Sequence, residues 1–142
     1  ALLGKAAIAN ARLAYADYRQ VFSAERFQKL AALGAKAQRP LWASTSTKNP
    51  AYRDVIYVEE LIGPNTVNTV PPQTLVAFLD HGTVRTSLEE DVAGARLAIA
   101  GLEDLGISMK QVTQQLEDEG VRSFSDAFTV LLRAIADRRK AA

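Results

Sequence analysis

The sequence predicts an α/β protein in which helix dominates, with two short parallel strands at about residues 41–45 and 66–70. Three observations predict it. Two short, mostly apolar stretches are bounded by prolines and polar turns, as buried strands are. A helix signal follows each, and strand, helix, strand, helix within about forty residues implies parallel strands joined by a crossover. From Ser87 onward the apolar residues recur at helical spacing.

Taken in order, residues near 5–19 are rich in alanine, with Ile8, Leu13, Tyr15, Tyr18 and Phe22 as the large apolar positions. That composition favours helix. Ser23 offers an N-cap for a second helix, or for the second arm of one bent helix, carrying Phe27, Leu30 and Leu33. Gly34 fits the position just past its end. After Pro40, Leu41-Trp42-Ala43-Ser44 reads as a buried strand and Thr45-Ser46-Thr47-Lys48 as a polar loop. Asn49-Pro50 is a helix-start pair, because asparagine caps and proline tolerates the first helical position. The helix it predicts carries Val55, Val58, Leu61 and Ile62 and stops at Gly63. Thr66-Val67-Asn68-Thr69-Val70 is the second strand, closed by Pro71-Pro72, and a helix through Leu75, Val76, Phe78 and Leu79 runs to Gly82.

Ser87-Leu88-Glu89-Glu90 has the form of a capping box, ahead of a stripe at Leu88, Val92, Ala95, Ile99 and Leu102 that Gly106 ends. Ser108-Met109-Lys110-Gln111 is a second such box, opening a short helix with Val112 and Leu116 that stops at Gly120. A last helix shows Phe124, Phe128, Leu131 and Ile135. These stripes read as core packing.

Bulk composition narrows the function. The chain has 142 residues, 48% hydrophobic and 23% charged, with a formal net charge of +1. So balanced a chain has no global electrostatic reason to seek nucleic acid or an anionic membrane, and no stretch is apolar enough to span one. Arg138, Arg139 and Lys140 read as a solvated helix end favoured by the helix dipole. Cysteine is absent, which excludes disulfides, thiolate metal sites and thiol catalysis and fits a reducing compartment. The one histidine, His81, lacks partners for a zinc or triad constellation and reads as a residue of a helix's last turn. The first residues, Ala1-Leu2-Leu3-Gly4-Lys5, lack the form of a signal peptide. The first residue is not methionine, which fits a processed product or a piece cut from something longer.

Two buried-type strands make neither a doubly wound sheet nor a closed barrel. A (β/α)₈ TIM barrel typically needs roughly 250 residues. The economical reading is the C-terminal fragment of such a barrel, with six strands upstream. Residues 1–86 are then the last barrel helices and strands, and 87–142 a C-terminal helical extension. A rival reading takes the two stretches as extended loops in a non-catalytic helical interaction or capping module. It is favoured if 41–45 and 66–70 are not parallel neighbours.

Particular wording supports the barrel. Gln38-Arg39-Pro40-Leu41-Trp42-Ala43-Ser44-Thr45, with Lys48-Asn49-Pro50 and Tyr52, closely resembles the penultimate strand and loop of bacterial transaldolases of the longer type, including those fused to a glucose-6-phosphate isomerase domain. The run from Tyr57 to Pro71 is similar to the following helix and last barrel strand. Gly4-Lys5-Ala6-Ala7-Ile8-Ala9-Asn10-Ala11 resembles the preceding helix, and Gly120-Val121 with the last helix resembles the C-terminal cap. The resemblance covers essentially the whole chain and is most specific over 38–71, which sets aside other phosphate-binding barrel enzymes.

The resemblance implies a cytoplasmic enzyme of the pentose phosphate pathway that moves a dihydroxyacetone unit between sugar phosphates. Its donors and acceptors are sedoheptulose 7-phosphate, fructose 6-phosphate, erythrose 4-phosphate and glyceraldehyde 3-phosphate. The chemistry runs through a lysine Schiff base without metal or organic cofactor. The catalytic lysine and acidic residues lie on strands expected upstream, so this segment is expected to be inactive without the rest of the barrel chain. What carries over is the phosphate end of the site. Ser44 matches the family's serine at the strand end. Classical members have an arginine where Ser46 stands, and Lys48 is the nearest cation, a point charge rather than a bidentate fork. Lys48 itself is not read as the Schiff-base lysine, since nothing in a polar loop desolvates it. Glu59/Glu60 and Glu89/Glu90 are sequence neighbours that do not face one another on a helix, and read as solvated charges or cap partners.

Overall fold

The computed structural model describes residues 2–141; Ala1 and Ala142, the ends of the two expected segments, lie outside them. Among the described residues the elements are α1 (Ala6–Ser23), α2 (Glu25–Ala32), β1 (Leu41–Ala43), α3 (Ile56–Glu59), β2 (Val67–Thr69), α4 (Pro72–His81), α5 (Val92–Asp104) and α6 (Met109–Ala141). Residues up to Gly101 form one compact unit and those from Leu102 a second. No described helix is long and apolar enough to cross a membrane.

The first unit is organised by the strand pair. β1 and β2 lie parallel, with Leu41 opposite Val67, Trp42 opposite Asn68 and Ala43 opposite Thr69. This is the observation on which the two sequence readings divide, and it favours the barrel over the helical module. Both strands are shorter than expected, three residues each. β1 stops because Ser44 turns into the left-handed region at φ 50. Its burial also differs from the expectation. Trp42 packs toward the helices, whereas Leu41 is 52% exposed and Ala43 and Thr69 are exposed beside it. One face of the pair is thus covered by helices and the other is bare, as alternation along a strand allows.

The covered face holds the core. Tyr15, Leu61 and Leu88 form a buried cluster, with Ile8, Ala11, Tyr18 and Trp42 packed against it. The Tyr15 hydroxyl donates to the Pro64 carbonyl at 3.1 Å. A second cluster sets Ala9 of α1 against Ala95 and Ala98 of α5. Leu2, Leu13 and Ile99 pack against this cluster.

Several local expectations give way to tertiary demands. Ser23 ends α1 rather than capping α2: its hydroxyl donates back to the Gln20 carbonyl, and the break falls at Ala24, which is extended (φ −65, ψ 148). Asn49-Pro50 forms an isolated turn, with Asn49 Oδ1 accepting from the Ala51 N–H at 2.9 Å. The helix proper begins only at Ile56 and lasts four residues. Ser87 does not cap. Its buried hydroxyl donates to the Glu59 carbonyl at 2.5 Å and accepts from the Ile62 N–H at 3.1 Å, while Asp91 takes over the cap by accepting from the Gly94 N–H at 2.8 Å.

The glycine stops divide the same way. Gly34 (φ 96) and Gly106 (φ 78) adopt the left-handed conformation and end their helices. The N–H groups of Ala35 and Ile107 reach back to the Leu30 and Leu102 carbonyls, closing each end in a Schellman motif. Gly120 does not turn, and α6 runs through it for 33 residues. A glycine inside a helix costs only about 1 kcal/mol, and Gln114–Asp118 and Gln115–Glu119 bonds span the turns before it. Ser108 supports the start of α6 by accepting from the Gln111 N–H at 3.4 Å. The stripe Phe124, Phe128, Leu131 and Ile135 is exposed, Phe124 at 83%, rather than core. Arg138, Arg139 and Lys140 occupy the last turn.

Glu59 and Glu60, read as solvated charges, are instead structural anchors. Glu59 is buried and accepts from Arg53 at 2.8 Å and from the Thr83 N–H at 2.9 Å. Glu60 is shared by Arg12 at 2.7 Å and Arg85 at 2.5 Å, and Arg85 also reaches Glu90 at 3.1 Å. The bond to Glu60, then that to Glu90, raises the Arg85 pKa and keeps the guanidinium charged. Glu89 pairs with Arg19.

Candidate functional site

Parallel neighbouring strands place the loops after β1 and β2 at the same end of the pair, the end where barrel sites are built. Ser44 is the first residue beyond β1. A non-glycine residue at φ 50 is uncommon and needs outside support. β2 supplies it: the Ser44 N–H donates to Thr69 Oγ1 at 3.0 Å, and that hydroxyl donates in turn to the Trp42 carbonyl at 3.3 Å. Next in line, the buried Thr45 donates its hydroxyl to Asn68 Oδ1 at 2.8 Å. The Ser44 hydroxyl is exposed and makes no hydrogen bond among the described residues.

The rest of the loop is anchored at its far end. Thr47 Oγ1 lies 3.0 Å from the Arg53 carbonyl and 3.2 Å from that of Asp54. Lys48, between Thr47 and the Asn49 turn, is exposed and forms no ion pair among the described residues. Ser44 and Lys48 therefore share one loop at the strand end, as the sequence placed them, with no direct bond between them.

A hollow of about 280 Å³ adjoins this loop, lined by Trp42, Ser44, Thr45, Ser46 and Tyr57 among others. A larger one, about 460 Å³, lies between α1 and α5 and is lined by Lys5, Arg12, Glu60 and Asp91. In the larger hollow Arg12 and Glu60 are committed to an ion pair and Asp91 caps α5, whereas the smaller hollow adjoins the strand-end loop and is the better candidate for a ligand. The clamps Thr69, Asn68 and Thr45 were not singled out from the sequence. The available signal was a polar Asn-Thr pair inside a stretch otherwise read as buried strand.

His81 ties the end of α4 to this region. Its Nε2 is 3.0 Å from Asp54 Oδ1 and its Nδ1 is 3.1 Å from Asp80 Oδ2. The bond to Asp54, then that to Asp80, raises the His81 pKa above 6.5, and the bond to His81 lowers that of Asp54 below 3.8. A raised histidine contributes fully below its unfolded value, and the contribution is lost as pH rises through the folded one. A lowered aspartate contributes above its unfolded value and loses the contribution as pH falls. The tie is therefore intact between about pH 4 and 6.5 and is lost as pH rises through the raised histidine value. Asp54→Asn should bring the His81 midpoint back down, readable by NMR titration of the one imidazole in the chain; an unchanged midpoint would contradict the tie.

A parallel β–α–β unit with a helix-covered face, a bare face and a polar loop at the strand ends is consistent with a segment of an α/β barrel. The comparisons with known proteins agree. The family model described as Transaldolase/Fructose-6-phosphate aldolase matches residues 1–135. The chain is 53% identical to a transaldolase of Parafrankia sp. over 97% of its length, 49% identical to one of Mycolicibacterium smegmatis over 100%, and 47% identical to one of Trichodesmium erythraeum over 99%. It spans 37–38% of the length of these relatives. The chain belongs to the transaldolase/fructose-6-phosphate aldolase family.

Proposed function

We propose that this chain is the C-terminal part of a cytoplasmic transaldolase of the pentose phosphate pathway, and that its loop 44–48 receives the substrate phosphate. The complete enzyme transfers a dihydroxyacetone unit from fructose 6-phosphate or sedoheptulose 7-phosphate to erythrose 4-phosphate or glyceraldehyde 3-phosphate. A neutral lysine outside this segment condenses with the donor ketone and releases water. The protonated imine draws in the electrons of the carbon–carbon bond between its α and β positions, so that bond breaks and an aldehyde leaves. The enamine left behind adds to the acceptor aldehyde, and hydrolysis frees the lysine.

The observation that carries the reading is Ser44: an exposed hydroxyl at the end of β1, without a hydrogen bond among the described residues and held at φ 50 by the neighbouring strand. Such a hydroxyl donates to a phosphate oxygen, and Lys48 on the same loop adds a positive charge where the arginine of classical members is replaced by Ser46. Residues 87–142 act as a helical extension of the barrel.

Ser44→Ala and Lys48→Ala in the full-length enzyme test this. Each is expected to raise KM for fructose 6-phosphate by roughly ten- to a hundredfold with a smaller change in kcat, the pattern of lost ground-state binding. Unchanged KM in both variants would remove the phosphate assignment.

A further inference from the structure

We infer that Thr69 is a positioning residue for the substrate phosphate, acting through the backbone of Ser44; the inference rests on the phosphate reading of loop 44–48. Thr69 sits opposite Ala43 in the ladder, one residue short of Ser44. Its hydroxyl meets two needs at once, accepting from the Ser44 N–H at 3.0 Å and donating to the Trp42 carbonyl at 3.3 Å. It thereby bridges the bend at the strand end, where the ladder has stopped and the backbone groups need new partners.

The bridge also fixes a conformation that serine does not choose alone. Left-handed backbone is unfavourable for a residue bearing a Cβ, yet Ser44 holds φ 50. Without an anchor on the Ser44 N–H, the residue relaxes toward extended backbone, continuing β1. Its hydroxyl then swings to another face of the strand. Asn68 supports the arrangement one residue on, by accepting from the Thr45 hydroxyl at 2.8 Å. Two consecutive residues of β2 thus hold two consecutive residues of the loop. Thr69 itself lies on the exposed face with Leu41 and Ala43, and its hydroxyl is occupied by backbone on both sides, so its effect on phosphate passes through Ser44.

The test uses the full-length enzyme with Thr69→Val, which keeps the shape and removes the hydroxyl, and Thr69→Ser, which restores it. Thr69→Ala replaces the valine variant if that protein does not fold. Thr69→Val is expected to raise both KM for fructose 6-phosphate and the inhibition constant of inorganic phosphate about tenfold, with kcat within about twofold. Thr69→Ser should remain within about twofold of the parent in all three. The Ser44→Ala/Thr69→Val double variant should be no weaker than Ser44→Ala alone, since one residue acts through the other. Parent-like phosphate binding in Thr69→Val, with Ser44→Ala impaired, would overturn this inference and leave the phosphate site standing. Parent-like binding in Ser44→Ala would overturn the contact of Ser44 with the phosphate, and with it this inference. Additive losses in the double variant would overturn the link between the two residues while leaving Ser44 at the phosphate.

Discussion

Leu88→Ala is expected to cost about 2–5 kcal/mol of stability, the range for deleting a fully buried leucine. Leu88 has no exposed surface and closes the cluster of Tyr15 and Leu61 on which Trp42 packs. The site is tight because Gly63 makes room for it. A Cβ on Gly63 would lie 2.6 Å from Leu88 Cδ1 and 3.1 Å from its Cβ, so the leucine fills space that only a glycine leaves. Backbone bonds hold the segment in place, the N–H groups of Ser87 and Leu88 both donating to the Ile62 carbonyl at 3.0 and 3.2 Å. A chain pinned at that point cannot slide to fill a cavity, which places the loss toward the upper half of the range. Urea denaturation followed by Trp42 fluorescence measures it. A loss below about 1 kcal/mol, the scale of an ordinary surface change, would mean that Leu88 does not organise this core.

The strand pair was legible because short apolar stretches flanked by Pro40 and by Pro71-Pro72 leave few alternatives to buried strand. The bare side of β1 was not: Leu41 and Trp42 are both apolar letters, and which of them meets a helix depends on elements far away in sequence. The capping box at Ser87 shows the same limit. The local motif is complete, but the hydroxyl is spent on the Glu59 carbonyl and the Ile62 N–H, partners about 25 residues distant. Glu59 is buried for a comparable reason, since Arg53 and the Thr83 N–H converge on it. Gly34 and Gly106 stop helices where Gly120 does not, and only the backbone angles separate them. At the site, Ser44 is proposed through the resemblance at 38–45 and Lys48 as the nearest cation. The bond between Thr69 and the Ser44 N–H was not legible, because it is a contact across strands that no spacing within either strand encodes.

The central claim is that this segment binds one end of the substrate while the covalent chemistry happens on a lysine elsewhere in the barrel. Lys48 is exposed in a polar loop, and a Schiff-base lysine needs surroundings that favour its neutral form. The share of the relatives' length that the chain spans, 37–38%, leaves ample sequence for the reacting strand. Borohydride reduction of the full-length enzyme with fructose 6-phosphate turns the imine into a stable secondary amine, and peptide mapping then locates it. The account predicts one modified lysine, outside residues 1–142, in near-stoichiometric yield; a stoichiometric adduct on Lys48 would contradict it.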